Sequence, residues 1–224
     1  MDIQKILSMT DHTLLRVGCT ENEVRRACEE AVAYGCAAVC PPPSFISFAR
    51  ECVGRESRVK VGAAIGFPNG YNTPENKAAE TADAIANGAD EIDMVINVSY
   101  VKDRKWDELQ REINLVREEC RGIVLKVIIE TCLLSDEEKT ALCEIVTECR
   151  ADYIKTSTGF SFGEATVRDV ALLRSHVGKQ VKVKASGGIR TLEEAQAMID
   201  AGASRIGSSS MIKAAKATSF MPPW

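Results

Sequence analysis

Eight short β-rich runs recur along this chain at nearly regular intervals, and this repeat constrains the fold more than any other feature. Successive runs start 22 to 33 residues apart, which is the length that a strand–helix unit needs. Eight such units in 224 residues predict an α/β protein with a single-domain (β/α)8 TIM barrel over residues 1–224. The runs begin near Asp11, Ala37, Val59, Glu91, Val124, Tyr153, Val181 and Arg205.

The segments between the runs carry the signals of helices. Each predicted helix begins near a serine or threonine that can cap its first turn. A doubly wound sheet is the other arrangement of such units, but it normally shows a glycine-rich turn after the first strand, and DHTLLRVG is no such turn. The predicted helices are Glu21–Ala33, Asn76–Asn87, Asp136–Cys149, Leu192–Asp200 and, after the last strand, roughly Ser209–Ala217.

Charge and composition exclude several classes of protein. The chain has 28 basic and 32 acidic residues and no basic block, so we expect no nucleic-acid partner. No apolar run approaches the roughly 18 residues of a membrane span, so we expect no membrane partner either. Nine cysteines without a C-x-x-C pair predict reduced thiols in a cytoplasmic protein, packed as small apolar residues. The two histidines, His12 and His176, are far apart and predict no metal site.

Alternation along four runs places charged side chains on one face of the predicted strands. Asp93 alternates with apolar residues in EIDMVINV, and Lys126, Lys155 and Lys184 do the same in their own runs. The apolar face of a barrel strand points outward to the helices, so these four side chains are predicted to point into the barrel. Lysine is rarely buried, and three inward lysines therefore need an explanation.

Two explanations are open from the residues alone. In the first, the lysines are ion-paired to Asp93, Glu130 or Asp11. In the second, they perform amine catalysis, because a neighbouring cation and desolvation can lower the pKa of a lysine from about 10.4 until its amine is a nucleophile. Barrels place their chemistry at the C-terminal ends of strands, which favours Lys155, Lys184 and Glu130.

Glycines and serines after the last strands indicate a phosphate site. Gly187 and Gly188 follow the seventh run, and the sequence GSSS at 207–210 follows the eighth. Backbone N–H groups in such turns attract phosphate oxygens, and this fold usually binds phosphate in the loops after strands seven and eight. Gly159, which follows the sixth run in TSTGF, is predicted to join them.

Several long motifs resemble the 2-deoxyribose-5-phosphate aldolases, a class I aldolase family with a TIM barrel fold. The matching stretches are DHTLL, NGADEIDMVINV, LKVIIET, ADYIKTSTGF, VKASGGIRT and RIGSSS, which extend from Asp11 to Ser210. The resemblance implies reversible cleavage of a sugar phosphate, 2-deoxy-D-ribose 5-phosphate, into acetaldehyde and D-glyceraldehyde 3-phosphate. It also implies that no metal or other cofactor is needed, and it suggests a homodimer.

The resemblance implies a role for each matched residue. Lys155 in KTSTG would form the Schiff base, Lys184 in KASGG would lower the pKa of Lys155, and Asp93 would relay protons. The implied substrate contacts are Asp11, Thr13 and Lys126, which would line the site, and Gly159, Gly187, Gly188, Ser209 and Ser210, which would bind the phosphate.

The end of the chain departs from the family pattern. In well-known members a C-terminal tyrosine assists proton transfer, but this sequence ends in KAAKATSFMPPW. We therefore expect the atypical segment 218–224 to take no part in the chemistry, and Phe220 and Trp224 to pack over the barrel wall. His12 is expected to face the helices, His176 to lie at the surface, and Cys40 to have a packing role at the mouth end of the second run.

Three other functions compete with a Schiff-base aldolase. A metal-dependent aldolase would need histidine ligands, and a sugar-phosphate isomerase would need a carboxylate or histidine base without paired lysines. A non-catalytic phosphate-binding barrel would leave the inward lysines unexplained. Reduction with borohydride in the presence of substrate separates these functions, since only a Schiff base becomes a stable secondary amine.

Overall fold

All eight predicted runs form strands, and these strands close into one barrel. The computed structural model describes residues 1–222. The strands are β1 (Thr10–Thr13), β2 (Ala38–Cys40), β3 (Lys60–Ile65), β4 (Glu91–Val95), β5 (Val124–Ile128), β6 (Tyr153–Lys155), β7 (Lys182–Ser186) and β8 (Arg205–Ser208). Each strand is parallel to its neighbours, and β1 pairs with both β2 and β8. The predicted (β/α)8 barrel is confirmed.

Helices surround the barrel; the first precedes β1, the last follows β8, and the others connect successive strands. They are α1 (Ile3–Ser8), α2 (Glu21–Ala33), α3 (Ile46–Val53), α4 (Pro74–Ala86), α5 (Val98–Lys102), α6 (Trp106–Glu119), α7 (Asp136–Glu148), α8 (Val167–His176), α9 (Leu192–Asp200) and α10 (Met211–Ala217). Short 3-10 turns at Pro43–Phe45 and Thr131–Leu133 follow β2 and β5. Within residues 1–222, no helix is both long and apolar enough to cross a membrane.

The capping residues determine where several helices begin. Thr73, Ser135 and Thr191 each accept a hydrogen bond from the backbone N–H three residues later. Helices α2 and α9 begin and end at the predicted residues. Helix α4 begins two residues earlier than predicted, at a proline, which is suited to the first helical position. The last helix begins two residues later than predicted, because the Ser210 N–H donates to Ser208 Oγ in the preceding turn at 3.0 Å.

The core lies between the barrel and the helices, where the outward faces of the strands pack. Ile92, Met94 and Ile154 are fully buried there, as the alternation predicts. His12 also faces outward, with Nε2 3.4 Å from the Glu30 carboxylate of α2, which confirms its predicted orientation. Cysteines contribute to the same core as small apolar residues, namely Cys28, Cys120, Cys143 and Cys149.

The C-terminal segment was predicted to cover the barrel wall. Phe220 is partly buried and packs against the core, in agreement with that prediction. Trp224 lies outside the described residues. That segment 218–224 takes no part in the chemistry stays a prediction.

Candidate active site

The polar face of the strands fills the barrel interior with charged side chains. Lys126, Lys155 and Lys184 are 0%, 4% and 1% exposed, and Asp93 is 1% exposed. Strand register brings Asp93 of β4 opposite Lys126 of β5, and Lys155 of β6 opposite Lys184 of β7. The four residues that alternation assigned to the interior therefore lie next to one another.

Asp93 contacts all three lysines. Its Oδ2 accepts hydrogen bonds from Lys155 Nζ and from Lys184 Nζ, both at 2.7 Å. Its Oδ1 accepts one from Lys126 Nζ at 2.7 Å. Burial alone would raise the pKa of Asp93, but the neighbouring lysines, with Lys126 acting most strongly, lower that pKa well below its ordinary range. Asp93 is therefore ionised and joins the two lysines that face each other.

A second layer of ion pairs surrounds this centre. Lys184 also contacts Asp11, and Lys126 Nζ lies 2.7 Å from Glu91 Oε2. The guanidinium of Arg205 lies 2.7 Å from Asp11 and 3.1 Å from Glu91. We call this group the charge cluster; its members are Asp11, Glu91, Asp93, Lys126, Lys155, Lys184 and Arg205.

The charge cluster contains four cations and three carboxylates. Lys126, Lys184 and Arg205 each contact at least two of those carboxylates, whereas Lys155, among the residues described, contacts Asp93 alone. If one amine is neutral, the remaining charges balance. Lys155 is the lysine for which ionisation is least compensated.

The pKa shifts of the two facing lysines have opposite signs. Burial lowers the pKa of Lys155, and the Lys184 ammonium lowers it further, although Asp93 opposes both effects. Burial acts on Lys184 as well, but Asp11 and Asp93 outweigh it and raise the pKa of Lys184. The arrangement therefore favours a neutral amine on Lys155 beside a permanent cation on Lys184, which is the condition for a nucleophilic lysine.

An open cavity of about 320 Å³ lies at the C-terminal ends of β1, β6, β7 and β8. Its lining includes six of the residues assigned to substrate, namely Thr13, Gly159, Gly187, Gly188, Ser209 and Ser210. We call it the phosphate cavity, after the predicted phosphate-binding residues in its lining. Gly207, between Lys184 and the cavity, has room for no side chain, because a Cβ there would lie 2.9 Å from Ser186 Cβ and 3.2 Å from Lys184 Cε. The cavity thus adjoins Lys184, which faces Lys155 across the strand pair.

The comparisons with known proteins agree with this geometry. Residues 5–214 match the model of the DeoC/LacD family aldolases. The chain belongs to that family. A deoxyribose-phosphate aldolase of Clostridioides difficile is 45% identical over 214 residues, which cover 96% of this chain and 97% of the relative. One from a Geobacillus species is 52% identical over 206 residues, or 92% of each chain.

Solved structures of aldolases share the fold closely. A putative deoxyribose-phosphate aldolase from Coccidioides immitis has a TM-score of 0.94 and 35% identity, with 98% of this chain and 88% of that chain covered. The deoxyribose phosphate aldolase of Aeropyrum pernix, described as a tetramer, has a TM-score of 0.86 and 32% identity, with 97% and 92% covered. As a DeoC/LacD family aldolase, the protein is a lyase that acts on carbon–carbon bonds.

Two residues assigned to the lining of the aldolase site lie deeper than expected. Asp11 and Lys126 are 1% and 0% exposed, and both are members of the charge cluster rather than of the cavity lining. Alternation along a strand fixes the face of a side chain but not its depth in the barrel, which depends on the stagger between strands. Within the charge cluster, Asp11 contacts Lys184, and Lys126 contacts Asp93.

Two arginines of the aldolase were missed by the sequence analysis. Arg16, after β1, and Arg190, after β7, both line the phosphate cavity. Arg16 is paired with Glu23, and Arg190 with Glu164. The sequence signal that could have identified them is a basic residue just beyond the end of a predicted strand. Both guanidinium groups are exposed and can exchange a carboxylate for a phosphate.

A second cavity of about 380 Å³ adjoins the first, and Leu15, Arg16 and Phe160 line both. Phe160 packs edge-to-face on Phe67, with ring centroids 5.2 Å apart.

Cys40 is buried near Gly62, and burial raises the pKa of its thiol to about 11. The Cys40 thiol is therefore protonated at neutral pH, in keeping with the packing role expected of it.

Proposed function

We propose that the protein is a Schiff-base (class I) aldolase that reversibly cleaves 2-deoxy-D-ribose 5-phosphate into acetaldehyde and D-glyceraldehyde 3-phosphate. The observation that carries the proposal is the surplus cation of the charge cluster, which favours a neutral, nucleophilic Lys155. The relatives from Clostridioides difficile and Geobacillus, named deoxyribose-phosphate aldolases, support this substrate.

Lys155 begins the cleavage reaction. Its neutral amine attacks the C1 aldehyde carbon of the open-chain sugar, and loss of water leaves an iminium ion. Lys184 remains an ammonium because its pKa is raised by Asp11 and Asp93 despite burial. That ammonium keeps the pKa of Lys155 low at the start of each turnover, when the amine must be free.

The iminium then accepts the electron pair of the C2–C3 bond. A base removes the C3 hydroxyl proton, C3 becomes the aldehyde of glyceraldehyde 3-phosphate, and C1 and C2 remain on Lys155 as an enamine. Protonation at C2 and hydrolysis release acetaldehyde and regenerate the amine. We assign these proton transfers to Asp93, through a water molecule, because its carboxylate contacts both Lys155 and Lys184.

The substrate phosphate binds in the phosphate cavity. Gly159, Gly187 and Gly188 allow the backbone to approach the phosphate closely, while Ser209 and Ser210 offer hydroxyl donors. Arg16 and Arg190 supply the positive charge that the turns lack. Gly207 of the cavity lining lies against Lys184, which faces Lys155. Binding the phosphate in this cavity therefore orients the aldehyde end of the sugar toward Lys155, and the contribution to rate is mainly positioning.

Product release tests this function directly. Purified protein in excess EDTA, given 2-deoxy-D-ribose 5-phosphate, should release acetaldehyde and glyceraldehyde 3-phosphate in equal amounts. The Lys155→Met variant keeps the length of the side chain and should lose activity by roughly 10⁴-fold or more, as expected for a covalent nucleophile. Absence of products, or activity that EDTA removes and zinc restores, would contradict the proposal.

The oligomeric state is a separate proposal. We infer a homodimer from the resemblance to the family, whereas the Aeropyrum pernix relative is described as a tetramer. Sedimentation equilibrium of the purified chain distinguishes a dimer from a tetramer or a monomer.

A further inference from the structure

The strand pattern favours Glu130 as an active-site residue, yet the lysine chemistry proposed above does not use it. Its side chain is 4% exposed, and its backbone is left-handed, with φ of +55°. In the described part of the chain, the other non-glycine residues with positive φ are Arg104, Arg150 and Ser219. Each of those three lies two residues after a helix, where a left-handed residue commonly ends the helix. Glu130 instead follows strand β5, so helix termination does not explain its conformation.

The Glu130 carboxylate contacts the turn that follows β6. The backbone N–H of Thr158 donates to both carboxylate oxygens at 3.3 Å, and the Thr158 hydroxyl donates to Oε2. Thr158 Oγ1 in turn accepts the N–H of Phe160 at 3.0 Å. These hydrogen bonds connect Glu130 through Thr158 to Phe160, and Gly159 lies between the two connected residues.

Gly159 is the residue of this turn that most needs external support. It has φ of +82°, it lines the phosphate cavity, and its ideal Cβ position lies 3.6 Å from the Cα of Gly187 on the neighbouring turn. Glycine has no side chain to anchor it and loses the most conformational freedom on ordering. The position of Gly159 therefore depends on the hydrogen bonds on either side of it.

We propose that Glu130 is a positioning residue for the substrate phosphate, because it holds the Thr158–Phe160 turn in the shape that presents Gly159 to the phosphate cavity. This inference rests on the proposed function, since the phosphate belongs to the substrate proposed above. Glu130 has a left-handed backbone where it makes this contact, and strained backbone conformations are common at functional sites.

Two substitutions at Glu130 separate the carboxylate from the backbone conformation. Glu130→Gly removes the carboxylate and adopts positive φ freely, whereas Glu130→Gln keeps an oxygen acceptor at the same place. We expect Glu130→Gly to raise KM for 2-deoxy-D-ribose 5-phosphate about tenfold while kcat and KM for unphosphorylated deoxyribose change less than about threefold. Glu130→Gln should recover most of the loss in phosphate recognition.

Two further variants provide a control and an independent test of the same contact. Arg150→Gly removes a left-handed non-glycine residue remote from the cavity and should leave both KM values unchanged. Thr158→Val removes the hydroxyl donor from the other side of the contact and should raise the same KM, which keeps the test available if Glu130→Gly does not fold. Because both changes break one chain of hydrogen bonds, the double variant should be little worse than the more damaging single variant.

Calorimetry with inorganic phosphate measures the same effect without turnover. Glu130→Gly should bind inorganic phosphate more weakly than the wild-type protein does. Equal KM changes for both sugars, or an unchanged phosphate affinity, would overturn the role of Glu130. Failure of the wild-type protein to cleave the sugar phosphate would instead overturn the proposed function, and the phosphate titration would still report on Glu130.

Discussion

The charge cluster and the phosphate cavity lie at successive depths of one barrel, but they hold their functional groups in different ways. The cluster consists of buried side chains on strands, and each charge is fixed by opposite charges around it. The cavity is open and consists largely of turns, whose glycines and serines place backbone groups on its surface. Its two arginines are exposed and already paired with carboxylates.

This difference separates chemistry from recognition. In the cluster, the pKa of Lys155 depends on its neighbours, so one substitution among them changes the reactivity of the amine. In the cavity, binding is distributed over several turns, so loss of one side chain matters less than a change in backbone shape. Substitutions in the two regions should therefore affect different kinetic constants.

Among the residues that act on Lys155 or on the phosphate, the largest effect is expected in the cluster, for Lys184→Met. Without the Lys184 ammonium, burial and Asp93 still act on Lys155, and the pKa of Lys155 should rise because the lowering by Lys184 is lost. At neutral pH fewer molecules then have a free amine, and kcat/KM should fall roughly 10²- to 10³-fold; each pKa unit of rise corresponds to about 1.4 kcal/mol. The pH profile of kcat/KM should show its acid limb moved to higher pH.

Lys182→Met is the matched control for that variant. Lys182 is an exposed lysine two residues earlier on β7, outside the charge cluster. Its replacement should leave the pH profile unchanged. A Lys184→Met variant that loses activity with an unmoved acid limb would mean that Lys184 does not act through the pKa of Lys155.

The next effect is expected in the cavity, for Gly188→Asp. Gly188 has φ of +77°, and a Cβ there would collide with the Glu164 carboxyl group. The added carboxylate also repels the substrate phosphate. We expect KM for deoxyribose 5-phosphate to rise roughly 10- to 100-fold, or about 1.4 to 2.8 kcal/mol, and KM for deoxyribose to change far less.

Gly122→Asp controls for the backbone cost of that change. Gly122 has φ of +75°, and its Cβ would meet nothing within 4 Å. This variant should lower the melting temperature slightly and leave both KM values as they are. If Gly188→Asp raised KM equally for the two sugars, the phosphate would have to bind elsewhere.

The smallest effect is expected for Arg16→Ala. Arg16 is exposed and paired with Glu23, so its net contribution to phosphate binding is reduced by solvent and by that carboxylate. We expect KM for the phosphorylated sugar to rise about threefold to tenfold, with kcat nearly constant. Arg168→Ala removes another exposed arginine, which is paired with Asp136 away from the cavity, and should change neither constant. A fall in kcat for Arg16→Ala would place Arg16 in the chemistry instead.

The strand pattern was sufficient to predict the barrel and the inward lysines. Alternation in EIDMV and in the later runs assigned Asp93, Lys155 and Lys184 to one face, and a closed barrel has only one interior for them. Both explanations of the buried lysines apply in part. Lys126 is held entirely by ion pairs, as the first explanation requires, whereas Lys155 has the lowered pKa that the second requires.

Side-chain depth and loop contacts could not be predicted in this way. Alternation places Glu91 on the face of Asp93, but it does not show that Glu91 meets Arg205. That contact depends on the register of the closed barrel, which sets Arg205 of β8 beside Lys184 of β7. Arg16 and Arg190 reach the cavity from loops, where no periodicity constrains direction. The contact between Glu130 and Thr158 depends on a left-handed backbone at Glu130, which no glycine or asparagine in the sequence signals.

The central claim is that Lys155, rather than another lysine of the charge cluster, forms the covalent adduct. The most direct test is reduction with borohydride in the presence of 2-deoxy-D-ribose 5-phosphate, followed by peptide mapping by mass spectrometry. We predict one substrate-derived modification, on Lys155, that is absent without the sugar and absent from Lys155→Met. A modification on Lys184 or Lys126, or no modification while the protein still turns over the sugar, would contradict the account.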